Sequence, residues 1–187
     1  MANQDAAFGL KAIGKVGQNR DNQGLSEYGI AASSSAIYQN DPVMMAATGK
    51  IIVGTAAAVL LGSLNGVFYT DASTSKPTWA NHLNASNTAT DIVGFVSDDP
   101  YERFEIQSDA ALTAAEVGLN ADIVYAAGST PNYVSKVELD HSDLKTATAQ
   151  LRVIGISKDP QNDEAGAVDV NAVVIINEHF LKGTVGI

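Results

Sequence analysis

The sequence predicts an all-β fold with one short helix: a compact β-barrel or sandwich, built of two related halves, with an extended N-terminal arm. Three observations predict it. A β-branched run interrupted by glycine, Asp91-Ile92-Val93-Gly94-Phe95-Val96-Ser97-Asp98-Asp99-Pro100, recurs about sixty residues later as Leu151-Arg152-Val153-Ile154-Gly155-Ile156-Ser157-Lys158-Asp159-Pro160. Other short apolar runs lie between turn residues, among them Val67-Phe68-Tyr69-Thr70 after Asn65-Gly66. Only 17% of the 187 residues are charged, and the polar remainder is Asn, Gln, Ser, Thr and Gly, which suits sheets and turns better than long solvated helices.

Residues 1–35 read as the arm. Phe8, Leu10, Ile13 and Val16 are spaced without a period among glycines and the cations Lys11, Lys15 and Arg20. Ala31-Ala32-Ser33-Ser34-Ser35 reads as a flexible joint. Such a segment is either a disordered tail or an extended arm that orders on a neighbouring subunit.

Residues 36–187 read as the β domain. Asn40-Asp41-Pro42 is a turn feeding a strand, and Ile51-Ile52-Val53 is the next strand; Ala56 to Leu61 fits strand or a helical turn equally. Asp71 to Ala89, with the single tryptophan Trp79, is a long polar loop insertion, and such loops tend to be functional or interfacial. In each glycine run the Asp-Pro marks a strand stop, because proline has no N–H and holds its predecessor extended. The glycine marks a bulge or a close backbone approach. Arg103 to Gln107 alternates with Phe104 and Ile106 inward. Leu112 to Val117 is the short helix, with Thr113 as N-cap, Glu116 as its box partner and Gly118 closing it. Asn120 to Gly128 then resembles the Asn40 opening, and Ala172 to Asn177 is a buried strand, so the two halves share one order of elements.

Composition excludes several functions. The net charge of −10 and eleven scattered Lys and Arg residues argue against nucleic acid, whose affinity rests on clustered cations, and against anionic membranes. There is no Cys, which removes disulfides and thiolate chemistry. The first residues lack the pattern of a signal peptide, and no apolar run is long enough to span a bilayer, so a soluble protein made in the cytoplasm is expected.

Chemistry is equally sparse. His82, His141 and His179 lack metal-ligand spacing, and neither a nucleophile elbow nor a phosphate loop occurs. The acidic turns at Asp98-Asp99 and Asp159 to Glu164 read as solvated turns; a calcium site lacks the central glycine, and a hydrolytic pair needs a facing geometry that spacing alone does not provide. No catalytic residue, cofactor or metal is expected. A β domain with a dotted arm and a Trp-bearing loop fits a protein that acts by binding surfaces.

The arm Phe8-Gly9-Leu10-Lys11-Ala12-Ile13-Gly14, the Asn40-Asp41-Pro42-Val43 opening, the two glycine strands and the closing Val173-Val174-Ile175-Ile176-Asn177-Glu178 resemble the capsid decoration or cement proteins of tailed bacteriophages, in the marine-phage style. The resemblance implies a non-enzymatic virion protein on the outer capsid surface, bound to the major capsid protein. It also implies self-association, as a trimer rather than a dimer, with the arm laid across capsid subunits. Phe8, Leu10, Ile13 and Val16 would anchor that arm, helped by Lys11, Lys15 and Arg20, while Trp79, Phe180 and Leu181 would serve subunit contacts. Removal of residues 1–20 is then expected to weaken capsid binding and leave the β domain folded. A host-attachment or carbohydrate-binding virion protein, reading its target with the 71–89 loop, is the alternative, and a hydrolase using the acidic turns is a third reading.

Overall fold

In the computed structural model, which describes residues 3–17, 24–32 and 34–183, 39% of the chain is strand and no helix reaches seven residues. Thirteen strands follow in order: β1 (Lys11–Lys15), β2 (Ser26–Gly29), β3 (Pro42–Met45), β4 (Ile51–Val53), β5 (Gly62–Thr70), β6 (Pro77–Ala80), β7 (Val93–Ser97), β8 (Glu102–Gln107), β9 (Asn120–Ala121), β10 (Ile123–Val124), β11 (Glu138–Leu139), β12 (Leu151–Ile156) and β13 (Asn171–Ile176). They form a five-stranded sheet, β1-β8-β13-β12-β9, and a six-stranded sheet, β2-β7-β5-β3-β4 with β6 paired to β5; β10 and β11 make a small third sheet. The pairing is antiparallel throughout these sheets, as expected of an all-β sandwich, and among the described residues no sheet closes into a barrel.

Each large sheet covers its own core. Phe104, Ile106, Leu151, Val153, Ala172, Val174 and Ile176 build one under the five-stranded sheet. Ile37, Val43, Ile51, Leu64, Val67 and Val96 build the other. The consecutive residues Leu60 and Leu61 go to different cores, so the seam between the halves runs through that peptide. β8 crosses the seam: it follows β7 of the six-stranded sheet but pairs with β13, Phe104 opposite Val174 and Ile106 opposite Ala172. The two halves are thus interlocked.

The repeated segment is repeated in geometry at its stop. The Asp99 carboxylate accepts the Tyr101 N–H at 2.8 Å and its carbonyl the Glu102 N–H at 3.0 Å. Asp159 does the same with Gln161 at 3.1 Å and Asn162 at 2.9 Å. In each, proline occupies the position that needs no donor. The glycines differ. A Cβ at Gly94 would lie 2.9 Å from Ile30 Cδ1 and 3.0 Å from Ile51 Cδ1, whereas one at Gly155, beside the register slip in β12, meets nothing within 4 Å. Gly94→Ala is therefore expected to cost about 1–2 kcal/mol through crowding of two isoleucine tips. Gly155→Ala should gain about 0.5 kcal/mol by restricting the unfolded chain. Urea melts of the two variants check this, and equal shifts would contradict it.

The N-terminal segment is extended, but it lies on its own chain. β1 pairs with β8, and β2 pairs with β7, so the expected division at residue 35 is crossed by a strand of each sheet. Leu10 is fully buried in the core of the five-stranded sheet. Ahead of it, the Gln107 amide accepts from Ala6 N–H and donates to the Gln4 carbonyl, which also receives Asn162 Nδ2. This cover is why Glu105 and Gln107, which alternation turns outward, are buried, whereas Glu102 shares the parity of Phe104 and Ile106 and accepts the Gly14 N–H.

The 71–89 insertion is also more ordered than a polar loop. Its first part is a hairpin in which β6 returns along β5, Phe68 opposite Trp79. Hydrogen bonds from the Ser73 hydroxyl and from Thr74 close the turn on the Asp71 carboxylate and hold its pKa down to about 2. Asn65-Gly66 lies inside β5, at a slip against β7. Of the expected helix only a 3-10 turn, Ala114–Glu116, forms, with the Glu116 carboxylate accepting Thr113 N–H at 2.6 Å.

Candidate functional site

Nine large apolar side chains are exposed among the described residues, and Val16, Leu25, Tyr101 and Leu181, at 40–60% exposure, collect where β1 ends and β2 begins. Leu25 and Leu181 border one cleft of about 360 Å³ with Lys15, Ser26, Asp98, Asp99 and Pro100. Val16 N–H donates to the Tyr101 carbonyl at 2.9 Å, and Lys182 Nζ sits 4.9 Å from the centre of the Tyr101 ring. Ile13 lies three residues before Val16, at the slip between Ala12 and Gly14, and is 37% exposed.

The charges beneath this patch are paired. Lys15 Nζ meets Asp99 at 2.5 Å, which raises the lysine's pKa and lowers the aspartate's. Asp98 accepts the Tyr28 hydroxyl at 2.6 Å and the Ser26 hydroxyl at 2.9 Å. Burial, followed by the bond to Asp98, pushes the Tyr28 hydroxyl well above its usual range. Glu102 is buried and accepts Gly14 N–H at 3.1 Å; burial raises its pKa, and that bond opposes the rise. The Asp98-Asp99 turn is therefore a fastening of β1 and β2 rather than a free acidic loop, and it leaves an apolar surface above it.

The other residues expected to make contacts are dispersed. Leu10 is fully buried in the core, which leaves it no surface for a partner, and Phe180 is partly buried against the core of the six-stranded sheet. Lys11 is tied to Glu105 at 3.3 Å and lies 5.8 Å from the Phe8 ring centre, with Phe8 half-buried. Arg20 lies outside the described residues. Leu25 and Tyr101 are not expected from sequence; each is a single apolar residue beside turn residues, and only the fold brings Leu25 to Leu181 across one cleft and Tyr101 to Val16 through their backbone bond.

No known protein family, curated protein or solved structure matches the chain.

Trp79, 62% exposed, stands apart on the outer face of the six-stranded sheet. Its ring centre is 4.5 Å from Phe95 and 6.3 Å from Phe68, and it lies against Gly66, where a Cβ would come within 3.8 Å of indole Nε1. A cleft of about 280 Å³ is lined by Lys11, Leu25, Gln39, Asn40, Ser63 and Asn65, among others. Elsewhere His82 stacks on Tyr133 at 3.7 Å, and Asn81 Nδ2 donates to the Asn132 carbonyl, a staple between the insertion and the second half. Among the described residues no group of three or more His, Asp or Glu is placed to hold a metal ion, and no helix is long and apolar enough to cross a membrane.

Proposed function

We propose that the protein is a structural virion component that binds the outer surface of a phage capsid and stabilises contacts between major capsid protein subunits. The observation that carries this reading is the apolar patch of Val16, Leu25, Tyr101 and Leu181 over a set of paired charges. Exposed apolar side chains gathered in one place favour a protein surface as partner, and aromatic anchors contribute most at such contacts. Pairing Lys15 with Asp99, and bonding Asp98 to two hydroxyls, before docking lowers the cost of stripping these groups of water when the patch is covered. A decorated shell multiplies one modest contact over many symmetric sites, so the patch does not have to bind tightly by itself. The docking surface in this account is the closed end of β1 and its neighbours, in place of a free arm.

The double substitution Val16→Asp, Leu181→Asp tests it. Both side chains are at the surface, so the thermal midpoint should stay within a few degrees of the wild type. Binding to undecorated shells, read by co-sedimentation, is expected to fall about a hundredfold or more, because two carboxylates would be buried unpaired. A variant that folds and binds like the wild type overturns the docking surface.

A further inference from the structure

We propose that the outer face of the six-stranded sheet carries a binding site for a neutral saccharide, with Trp79 as its stacking platform and Asn65 and Gln39 as its hydrogen-bonding wall. Its platform, Trp79, is not part of the apolar patch at β1, and the inference does not depend on capsid docking.

The floor is built by register. Phe68 and Phe95 point outward from β5 and β7, and Gly66, opposite Phe95, leaves the room that the indole of Trp79 takes. The indole is fixed by Phe95 at 4.5 Å while it remains 62% exposed, so its free surface is held at little further cost in entropy on binding. Its Nε1 lies beside Gly66 and hence beside Asn65, the residue at the slip in β5. Among the described residues neither that N–H nor the Asn65 amide nor Gln39 Nε2 makes a hydrogen bond within the protein; Gln39 Oε1 accepts from Asn81 at 3.4 Å. Asn65 and Gln39 also line a cleft of about 280 Å³, together with Asn40.

An aromatic face next to amides matches the chemistry of a sugar ring, which shows C–H groups on one face and hydroxyls at its edge. Nucleobases also stack on tryptophan, but the net charge of −10 opposes a polyphosphate backbone and, equally, acidic sugars. Neutral saccharides are the small-ligand class that fits, and a protein partner is the other occupant that the test below separates.

Trp79 is the only tryptophan, so tryptophan emission, excited selectively over the six tyrosines, reports this site alone. The intact protein is titrated with neutral oligosaccharides of glucose, galactose, mannose and N-acetylglucosamine up to about 10 mM. At least one is expected to shift the emission to the blue and saturate. Calorimetry with that sugar should show binding lost in Trp79→Ala and weakened about fivefold or more in Asn65→Ala, with Trp79→Phe keeping part of it. Trp79 is exposed, so these variants should melt near the wild type; circular dichroism verifies this, and Asn65→Ala keeps the proposal testable if Trp79→Ala does not fold. No response from any of the sugars overturns the proposal, as does undiminished binding by Trp79→Ala. A shift produced by capsid shells and by no sugar assigns the face to protein docking and also overturns it.

Discussion

Removing residues 1–16 is expected to unfold the five-stranded sheet, not to release a dispensable arm. The deletion takes away β1, its ladder with β8, and Leu10, which is fully buried. It also strands buried groups that the segment bonds. Glu102 loses the Gly14 N–H, Gln107 loses its bonds to Gln4 and Ala6, and Glu105 loses Lys11. Each orphaned buried polar group costs about 1–3 kcal/mol, against a total stability of roughly 5–15 kcal/mol. The milder Leu10→Ala should cost about 2–5 kcal/mol by leaving a cavity in the core. Guanidinium melts of both proteins measure the effect. A truncated chain with an unchanged midpoint would mean that the segment is an arm after all.

Replacing Asp41 with Asn is expected to make the protein more stable at neutral pH and to expose a steep acid dependence that the wild type conceals. Asp41 is fully buried; Tyr38 N–H donates to it at 2.8 Å, its Oδ1 has no partner, and burial raises its pKa to about 6. His179 is buried too, its Nδ1 accepts Leu181 N–H at 3.0 Å, and burial, then the Lys182 charge, lowers its pKa to about 4. The signs oppose each other. For Asp41 the folded chain holds a proton that the unfolded chain releases between pH 3.8 and about 6, so stability falls by about 3 kcal/mol as pH rises through that window. For His179 the unfolded chain takes up a proton that the folded chain refuses between pH 6.5 and about 4, so stability falls by a similar amount, about 3 kcal/mol, as pH drops. Together they nearly cancel. Asp41→Asn keeps an acceptor for Tyr38 N–H and removes one of the two slopes. Its gain over the wild type should be about 2 kcal/mol at pH 7 and vanish below about pH 4. The difference between the two proteins isolates this residue from Glu102 and the other titrating carboxylates. A gain that does not change with pH would refute the assignment.

Features with a local cause could be read directly from the sequence. Phe104 and Ile106 face the core as their alternation requires, both Asp-Pro turns stop their strands, and Thr113 and Glu116 form their reciprocal contact although the helix is only a turn. What escaped depends on pairing. β1 has no clean period because the slip between Ala12 and Gly14 breaks its alternation, so its apolar residues looked like scattered anchors. Phe8, Leu10, Ile13 and Val16 then divide, with Leu10 in the core and Val16 at the surface, for reasons that lie in β8. Asn65-Gly66 has turn chemistry, yet β7 on one side and the β6 hairpin beyond it carry β5 straight through. Gly94 and Gly155 look alike in sequence and differ in the fold because only Gly94 faces two isoleucines. The site was half legible: Val16 and Leu181 were singled out, while Leu25 and Tyr101 carry no local signal and are gathered only where the two sheets meet.

The central claim is that this chain covers a capsid, and its copy number in the particle tests that most directly. Quantitative mass spectrometry of purified virions is expected to find the protein at a simple ratio to the major capsid protein, in hundreds of copies, as repeated docking on a symmetric shell requires. Its absence from the particle, or a count of a few dozen as for a spike at the vertices, would contradict the account.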